Sequence, residues 1–289
     1  MADRPRILIV GAGIAGLTLA AGLERHGITP TIIEIRQATL SRGLALMLTS
    51  NVALALRRIG LESAIAEHGM VLERIVQTTA SGSPLADFDL RPANTRYGLN
   101  LGVTRDALIS SLSSRGGATI RYEMTITSAE RTPGGVRVVF SDGQIVEFDL
   151  VVGADGVHSA VRKLIYPQVE PVYRSFCGWR TVMEYSSNDA ALSIRSAPGR
   201  LLGSFQVAPN LVYAFLLARY PVLPSLSRQE HLDHLKQLAS EFEGPVAELI
   251  QLQRDPDRVV FAPVREVQPP SYALGRMLLI GDAAHAFPP

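Results

Sequence analysis

Residues 11–16 read Gly-Ala-Gly-Ile-Ala-Gly, directly after the apolar run 6–10 (RILIV) and directly before Leu17, Leu19, Ala20 and Leu23 at helical spacing. Glycines so placed let a strand turn sharply into a helix, let backbone approach a pyrophosphate, and let the helix pack close on the strand. The helix N-terminus then offers unpaired N–H groups and the positive end of its dipole to an anion, with no lysine required. A second run, 29–34 (TPTIIE), ends in Glu34, 18 residues past Gly16. A carboxylate there accepts hydrogen bonds from adenosine ribose hydroxyls and repels a 2′-phosphate, so the site favours FAD or NAD over NADP. Gly11, Gly13, Ala15, Gly16 and Glu34 are the first candidate cofactor-binding residues.

Two later segments repeat the form of a buried strand feeding a small-residue turn with an acid. One is 150–156 (LVVGADG), leading into a helix-like run 157–165 that carries Ser159 and Arg162; the other is 277–285 (MLLIGDAAH). Between the first and second turns, Thr104 can cap a helix that begins at Arg105 and continues through Ile109 and Leu112. From about residue 171 the pattern changes. Strands are predicted over 173–185, 191–196, 201–207 and 211–217, separated by the turn-rich SSND, APGR and VAPN and paired as an antiparallel sheet. An amphipathic helix follows over 228–241, with Leu232, Leu235 and Leu238 on one side, then a strand at 258–261. The chain is expected to cross back near Leu274.

The sheet carries Trp179, Arg180, Arg195, Phe205, Tyr213 and Phe215. Most of these read as core, and strand alternation decides which point inward. Cys177 reads as a small buried residue. His231 and His234, three apart, read as a solvated helix face and not as a metal pair, since no third ligand is near in sequence.

On GAGIAG with Glu34, the arginine of SRGLALMLTSN, Arg105 in TRDALISSL, GADGVHSAVR and the final GDAAHAFPP, the chain resembles the FAD-dependent aromatic-ring monooxygenases of the para-hydroxybenzoate and salicylate hydroxylase type. The resemblance runs through essentially the whole chain. It implies an α/β fold: a Rossmann-like FAD-binding domain (1–170 and 272–289) with an inserted antiparallel-sheet substrate domain (171–271). It also implies roles. Asp282, after Gly281, would hydrogen-bond the ribityl chain; Arg105 would approach the pyrophosphate or ribityl region; Arg42 would lie near the flavin. Asp155 would serve both FAD and the nicotinamide donor, partly through structure. Pro288 and Pro289 would wall one side of the ring, and His285 either nears the isoalloxazine or seats a loop. In the family a glycine-rich loop and further segments follow the two prolines, so the chain is expected to be C-terminally truncated.

The implied reaction is hydroxylation of a small aromatic substrate with NAD(P)H and O2 through a flavin C4a-hydroperoxide. The cofactor carries the hard chemistry, and no catalytic acid or base is assigned. With one G-x-G-x-x-G, NADH or NADPH is expected as a transient co-substrate. Two alternatives stand beside this reading: an FAD-dependent dehydrogenase or reductase without oxygen insertion, and a non-catalytic dinucleotide-binding fragment.

Composition bounds these readings. The 289 residues, 47% hydrophobic and 19% charged, leave room for two domains and exclude a disordered chain. The net charge of +1 provides no field to gather nucleic acid, which is not an expected partner. A single cysteine excludes an internal disulfide framework, and the start MADRPRILIV lacks a secretory pattern, so a cytoplasmic protein without a membrane anchor is expected. The absence of G-x-S-x-G, a Walker lysine and C-x-x-C removes hydrolase, ATPase and dithiol readings.

Overall fold

The computed structural model describes residues 4–37, 44–114 and 117–288. Its elements begin with β1 (Ile7–Val10), α1 (Ile14–Glu24), β2 (Thr31–Glu34), β3 (Ala45–Leu48), α2 (Ser50–Arg58), α3 (Glu62–Ala66) and β4 (Met70–Val71). There follow β5 (Arg74–Thr79), β6 (Pro84–Asp89), α4 (Arg91–Tyr97), β7 (Leu101–Thr104), α5 (Arg105–Ser113), β8 (Ile120–Tyr122) and β9 (Ile126–Arg131). Next are β10 (Val136–Phe140), β11 (Ile145–Phe148), β12 (Leu150–Gly153), α6 (Ala160–Ile165), β13 (Val172–Glu184), β14 (Ala191–Ala197) and β15 (Arg200–Ala208). The last are β16 (Leu211–Arg219), α7 (Arg228–Ala239), α8 (Pro245–Leu252), β17 (Val260–Glu266), β18 (Ala273–Leu274), β19 (Met277–Leu279) and α9 (Asp282–His285). Among the described residues no helix is long and apolar enough to cross a membrane.

The chain forms two compact units. One comprises Met1–Ser41, Ile109–Arg174 and Arg265–Pro289; the other comprises Arg42–Leu108 and Ser175–Val264.

The first unit is built on a six-stranded sheet in the order β18-β19-β12-β1-β2-β8. β1 runs parallel to both β12 and β2, and β12 runs parallel to β19. Parallel strands need cover on both faces, which is why Leu8, Ile9, Ile32, Ile33 and Val151 are almost wholly buried. A three-stranded antiparallel sheet, β11-β10-β9, sends Val136, Val138, Phe140 and Phe148 into the same core as Leu8, Val10 and Leu279.

The second unit carries a seven-stranded sheet, β17-β13-β16-β15-β14-β5-β6, and a small sheet, β3-β7-β4. The four strands expected from 173 to 217 are all present and pair antiparallel as β13–β16, β16–β15 and β15–β14. The sheet is larger than expected because β14 also pairs in parallel with β5, Ala191 opposite Arg74 and Ser196 opposite Thr79. That pairing corrects the domain boundary drawn from sequence. It takes residues 42–108 out of the dinucleotide-binding unit, and the return to that unit comes at Arg265, ahead of Leu274. Pairing between strands more than 100 residues apart leaves no local sequence signal.

Alternation now assigns the faces. Phe205 and Tyr213 are register partners and lie in a buried cluster with Leu72, Leu192 and Val207, against which Ala45 and Met47 of β3 pack. The other face carries Trp179, wholly buried against α7, where the capping box of Ser227 and Glu230 starts the helix. Leu232 and Leu235 are buried as expected, with Ala239 beside them and Leu238 half-buried.

Candidate cofactor site

Parallel pairing in register puts three turns at one edge of the six-stranded sheet. Val10 pairs with Gly153 and Gly153 with Leu279, so β1, β12 and β19 end side by side. Backbone bonds continue the ladder one step further, from Ala154 N to Val10 O at 2.8 Å and from Ile280 N to Gly153 O at 2.9 Å. β1 stands between β2 on one side and β12 on the other, the switch point at which open α/β sheets bind ligands beyond their carboxyl ends.

The first turn needs its glycines for separate reasons. Gly11 has φ +108°, and a Cβ there would lie 2.4 Å from Ala154 O, so the first and second turns touch backbone to backbone. A Cβ at Gly16 would lie 2.0 Å from Gly11 O, which is the close approach of α1 to the turn. At Gly13, in contrast, a Cβ would meet nothing within 4 Å. Gly13 is the N-cap of α1, no side chain caps this helix, and its first turn holds no acid. The start of α1 therefore faces open space with its dipole unopposed, which fits a pyrophosphate.

Glu34 is tied into the same turn. Its carboxylate accepts from Ala12 N and from Arg36 N, each at 3.0 Å. Two backbone donors use part of the acceptor capacity of a carboxylate and orient the rest, leaving lone pairs for the hydroxyls of a ribose.

The third turn closes on the first. Gly281 has φ +58°, and a Cβ there would lie 2.8 Å from the Cβ of Ala15. Ala15 is thus a small residue that lets the turn at Gly281 approach α1. Gly281 is also the N-cap of α9, so Asp282 is not spent on capping; it is the first residue of the helix and is exposed. His285 is exposed too, its ring 5.8 Å from that of Tyr272.

In the second turn Asp155 is half-buried and directed at its own helix. It accepts from Ser159 Oγ at 2.5 Å, Ala160 N at 2.7 Å and Val161 N at 3.2 Å. Burial pushes its carboxyl up from the ordinary range, against the pull of those hydrogen bonds. The geometry favours the structural part of the role expected of Asp155. The helix itself starts at Ala160, three residues later than expected, because Ser159 is the N-cap and accepts from Arg162 N at 2.9 Å.

Arg162, the last residue of GADGVHSAVR, has a role that the sequence reading did not assign. It is 2% exposed and donates to three backbone carbonyls: Ala283 at 3.1 Å, Val157 at 2.6 Å and Val169 at 3.4 Å. It therefore joins the second turn to the helix after the third. The available signal was an arginine between Val161 and Lys163 on a short helix that the sheet-facing Val161 anchors in the core.

Arg105 lies in the second unit, half-buried, at the start of α5 directly after β7. Ala107 N donates to Thr104 Oγ1 at 3.3 Å, the expected cap. Arg42 and Pro289, also expected near the cofactor, lie outside the described residues.

The aromatic residues of the second unit divide between faces. Tyr213 is buried, which pushes its phenol up, while Arg180, hydrogen-bonded to it, pulls the other way. His231 and His234 are not the solvated pair expected. Trp179 Nε1 donates to His231 Nδ1 at 3.3 Å, His231 stacks on Phe261 with centroids 4.1 Å apart, and His234 Nε2 lies 2.6 Å from Tyr220 Oη. The wholly buried indole of Trp179 draws both rings inward. Among the described residues no group of three His, Cys, Asp or Glu is placed to hold a metal ion.

A family model described as "FAD binding domain" matches residues 4–289. The chain is 29% identical to the aurachin C monooxygenase/isomerase of Stigmatella aurantiaca, over 98% of this chain and 75% of that protein. It is 30% identical to the 2-heptyl-3-hydroxy-4(1H)-quinolone synthase of Pseudomonas aeruginosa, again over 98% and 75%. Among solved structures, Klebsiella pneumoniae HpxO complexed with FAD and uric acid superposes with a TM-score of 0.87 at 25% identity, covering 97% of this chain and 74% of that one.

Proposed function

The chain belongs to the FAD-binding family of flavin-dependent monooxygenases, and on that premise we propose that it hydroxylates a small, electron-rich ring, with nitrogen heteroaromatics and phenols as the substrate class. One observation carries the reading: three turns from distant parts of the chain converge on an uncapped helix start and Glu34, while Asp282 stays exposed beside them. NAD holds no ribityl chain, so Asp282 is what directs the site towards FAD.

When bound, FAD supplies the redox chemistry, accepting reducing equivalents from NAD(P)H and activating O2 for transfer of one oxygen atom. The chain's own residues bind and orient. Gly11, Gly13 and Gly16 let the pyrophosphate reach backbone, the α1 dipole offsets its charge, and Glu34 holds the ribose. Asp282 takes a ribityl hydroxyl, and Arg105 supplies forked donors to the phosphate or ribityl region. NADH or NADPH acts as a transient co-substrate.

The second unit serves as the substrate domain. On the face of Phe205 and Tyr213, the half-buried Phe215 offers aromatic surface to a flat ring, and the half-buried Arg180 offers a cation to an ionised hydroxyl or carboxylate. The neutral phenol of Tyr213 is available as a hydrogen-bond donor. The ring compounds in the relatives' names, a hydroxyquinolone that one of them synthesises and the uric acid bound to the other, favour a nitrogen heterocycle.

The test is a screen of phenols, quinolones and purines for stimulated NAD(P)H oxidation by the FAD-loaded chain, followed by 18O2 labelling of the product. Label in the ring supports hydroxylation. Stimulated oxidation with an altered but unlabelled product assigns a dehydrogenase or reductase instead, and FAD binding without any stimulation assigns a binding role.

A further inference from the structure

Two buried glycines stand inside strands of the seven-stranded sheet, Gly178 in β13 and Gly203 in β15. A glycine in a strand interior weakens the strand and marks a place where something approaches the backbone closely. Register puts both on the face of Phe205 and Tyr213. Gly203 is two residues from Phe205 on β15, and Phe215, two beyond Tyr213 on β16, is the partner of Gly203 on one side and of Arg180 on the other. Gly178 is two residues before Arg180 on β13 and stands opposite Leu217. Strand residues two apart share a face, so Gly178, Arg180, Gly203 and Phe215 belong to one patch.

Each glycine receives a neighbour's side chain. A Cβ on Gly203 would lie 2.1 Å from Cζ of Phe215 and 2.5 and 2.7 Å from its Cε1 and Cε2. Had the ring met Gly203 edge-on, in its own plane, Cε1 and Cε2 would be farther than Cζ by well over half a bond length. Both differences are smaller than that, so the ring lies face-down across β15 instead of standing off the sheet as strand side chains do. The ring of Tyr213, 5.9 Å away between centroids, is inclined to it by only 30°. A Cβ on Gly178 would lie 3.2 Å from Nη1 and 3.4 Å from Cζ of Arg180, so the guanidinium folds back along its own strand. Phe215 and Arg180 are only half-buried, and Arg180 has no ion-pair partner among the described residues. The patch presents the outer face of one aromatic ring and, nearby, a cation without a counter-ion.

We propose that Gly203 and Gly178 are positioning residues that shape this face for a planar aromatic acid. Gly203 seats Phe215 so that a flat ring stacks on its outer face, and Gly178 seats Arg180 so that the guanidinium meets the carboxylate or ionised hydroxyl of the same molecule. The ring over β15 and the guanidinium on β13 are two strand spacings apart, on the order of 10 Å, which one ring with an attached carboxylate spans once its hydrogen bond is counted. A methyl group at 203 lifts the phenyl ring into the space of the ligand; one at 178 unseats the guanidinium. The inference rests on the reading of the second unit as the substrate domain and narrows its substrates from electron-rich rings in general to flat ones that carry an anionic group. A puckered ring loses the stack, and a neutral one loses the ion pair.

The probes are 4-hydroxybenzoate, its neutral analogue 4-hydroxybenzyl alcohol and the puckered 4-hydroxycyclohexanecarboxylate, titrated into the FAD-loaded chain with binding read by ligand-observed NMR. Wild type is expected to bind the planar acid about fivefold tighter than the puckered one, the equivalent of an aromatic stack. It should bind the planar acid about tenfold tighter than the alcohol, the equivalent of a hydrogen bond to a charged group. Gly203→Ala should remove the first preference and keep the second, and Gly178→Ala should do the reverse. Because Gly203→Ala forces Phe215 to move and destabilises the sheet, it is paired with Phe215→Leu: the combination relieves the clash and recovers the unfolding midpoint, yet the planar preference does not return. Glycines that serve packing alone would shift the midpoint and leave both ratios untouched, and that result overturns the proposal. Equal affinity of wild type for all three probes overturns it too, as does no binding of the planar acid at about 10 mM, far above the micromolar range of specific ligands. Both preferences intact in a chain that puts labelled oxygen into no ring supports the shaped face while refuting hydroxylation.

Discussion

Nη1 of Arg162 donates to the carbonyl of Ala283 at 3.1 Å across 121 residues of chain, and through that bond the turn at Asp155 and the turn at Gly281 hold each other in place. The side chain is almost wholly buried and spends its other donors on Val157 and Val169. Arg162→Met strands these carbonyls without a donor. The expected loss of stability is about 2–4 kcal/mol, from several buried acceptors at roughly 1–3 kcal/mol each with partial relaxation. Arg162→Lys recovers little of it, because an ammonium cannot present a planar fork. Urea unfolding followed by circular dichroism, alongside flavin occupancy, measures both; an unmoved midpoint in Arg162→Met means the clamp is idle.

Gly281→Ala meets two separate obstacles, its φ of +58° and the 2.8 Å approach to Ala15. Together they are expected to cost about 1–3 kcal/mol and to lower FAD affinity by displacing Asp282. Ala15→Gly in the same chain removes the contact but leaves the backbone cost. A double-mutant cycle on stability should therefore give partial rescue. Full additivity would place the whole cost in the backbone.

Glu34→Ala frees Ala12 N and Arg36 N and removes the ribose acceptor. FAD affinity is expected to fall about 10- to 100-fold, the equivalent of one or two hydrogen bonds to a charged group. Glu34→Gln should fall between, since an amide keeps one acceptor and turns an NH2 towards the other donor. Asp282→Ala should weaken FAD without changing fold stability, because Asp282 is exposed and caps nothing. Flavin fluorescence quenching gives the constants, and wild-type affinity in both Glu34→Ala and Asp282→Ala refutes the assignment.

Trp179 is the single tryptophan and donates to His231, so its fluorescence reports on one hydrogen bond. Burial holds His231 below its ordinary value of 6.5, with His234 adding to the effect and Glu230 opposing it. A depressed folded-state pKa means that this stability is complete above pH 6.5 and is lost as pH falls through the folded value. Protonated Nδ1 can no longer accept from the indole. A fluorescence change on the acid side of pH 6.5 is expected, accompanied by a lower unfolding midpoint, and both should vanish in His231→Phe. A titration centred above 6.5 contradicts the burial argument.

Local chemistry wrote the cofactor turns into the sequence. A strand of β-branched residues, three glycines at fixed spacing and an acid at the next strand end are contiguous features, and Gly11, Gly16 and Glu34 stand where the spacing predicts them. The strands from 173 to 217 were legible for the same reason, since alternation and turn residues act over a few positions. What only the tertiary structure decided are the relations across long stretches of chain. Arg162 binds Ala283, Gly281 meets Ala15, β5 pairs with β14, and the rings of His231 and His234 fold onto Trp179. Packing and register are properties of the assembled sheet, and no window of neighbouring residues contains them.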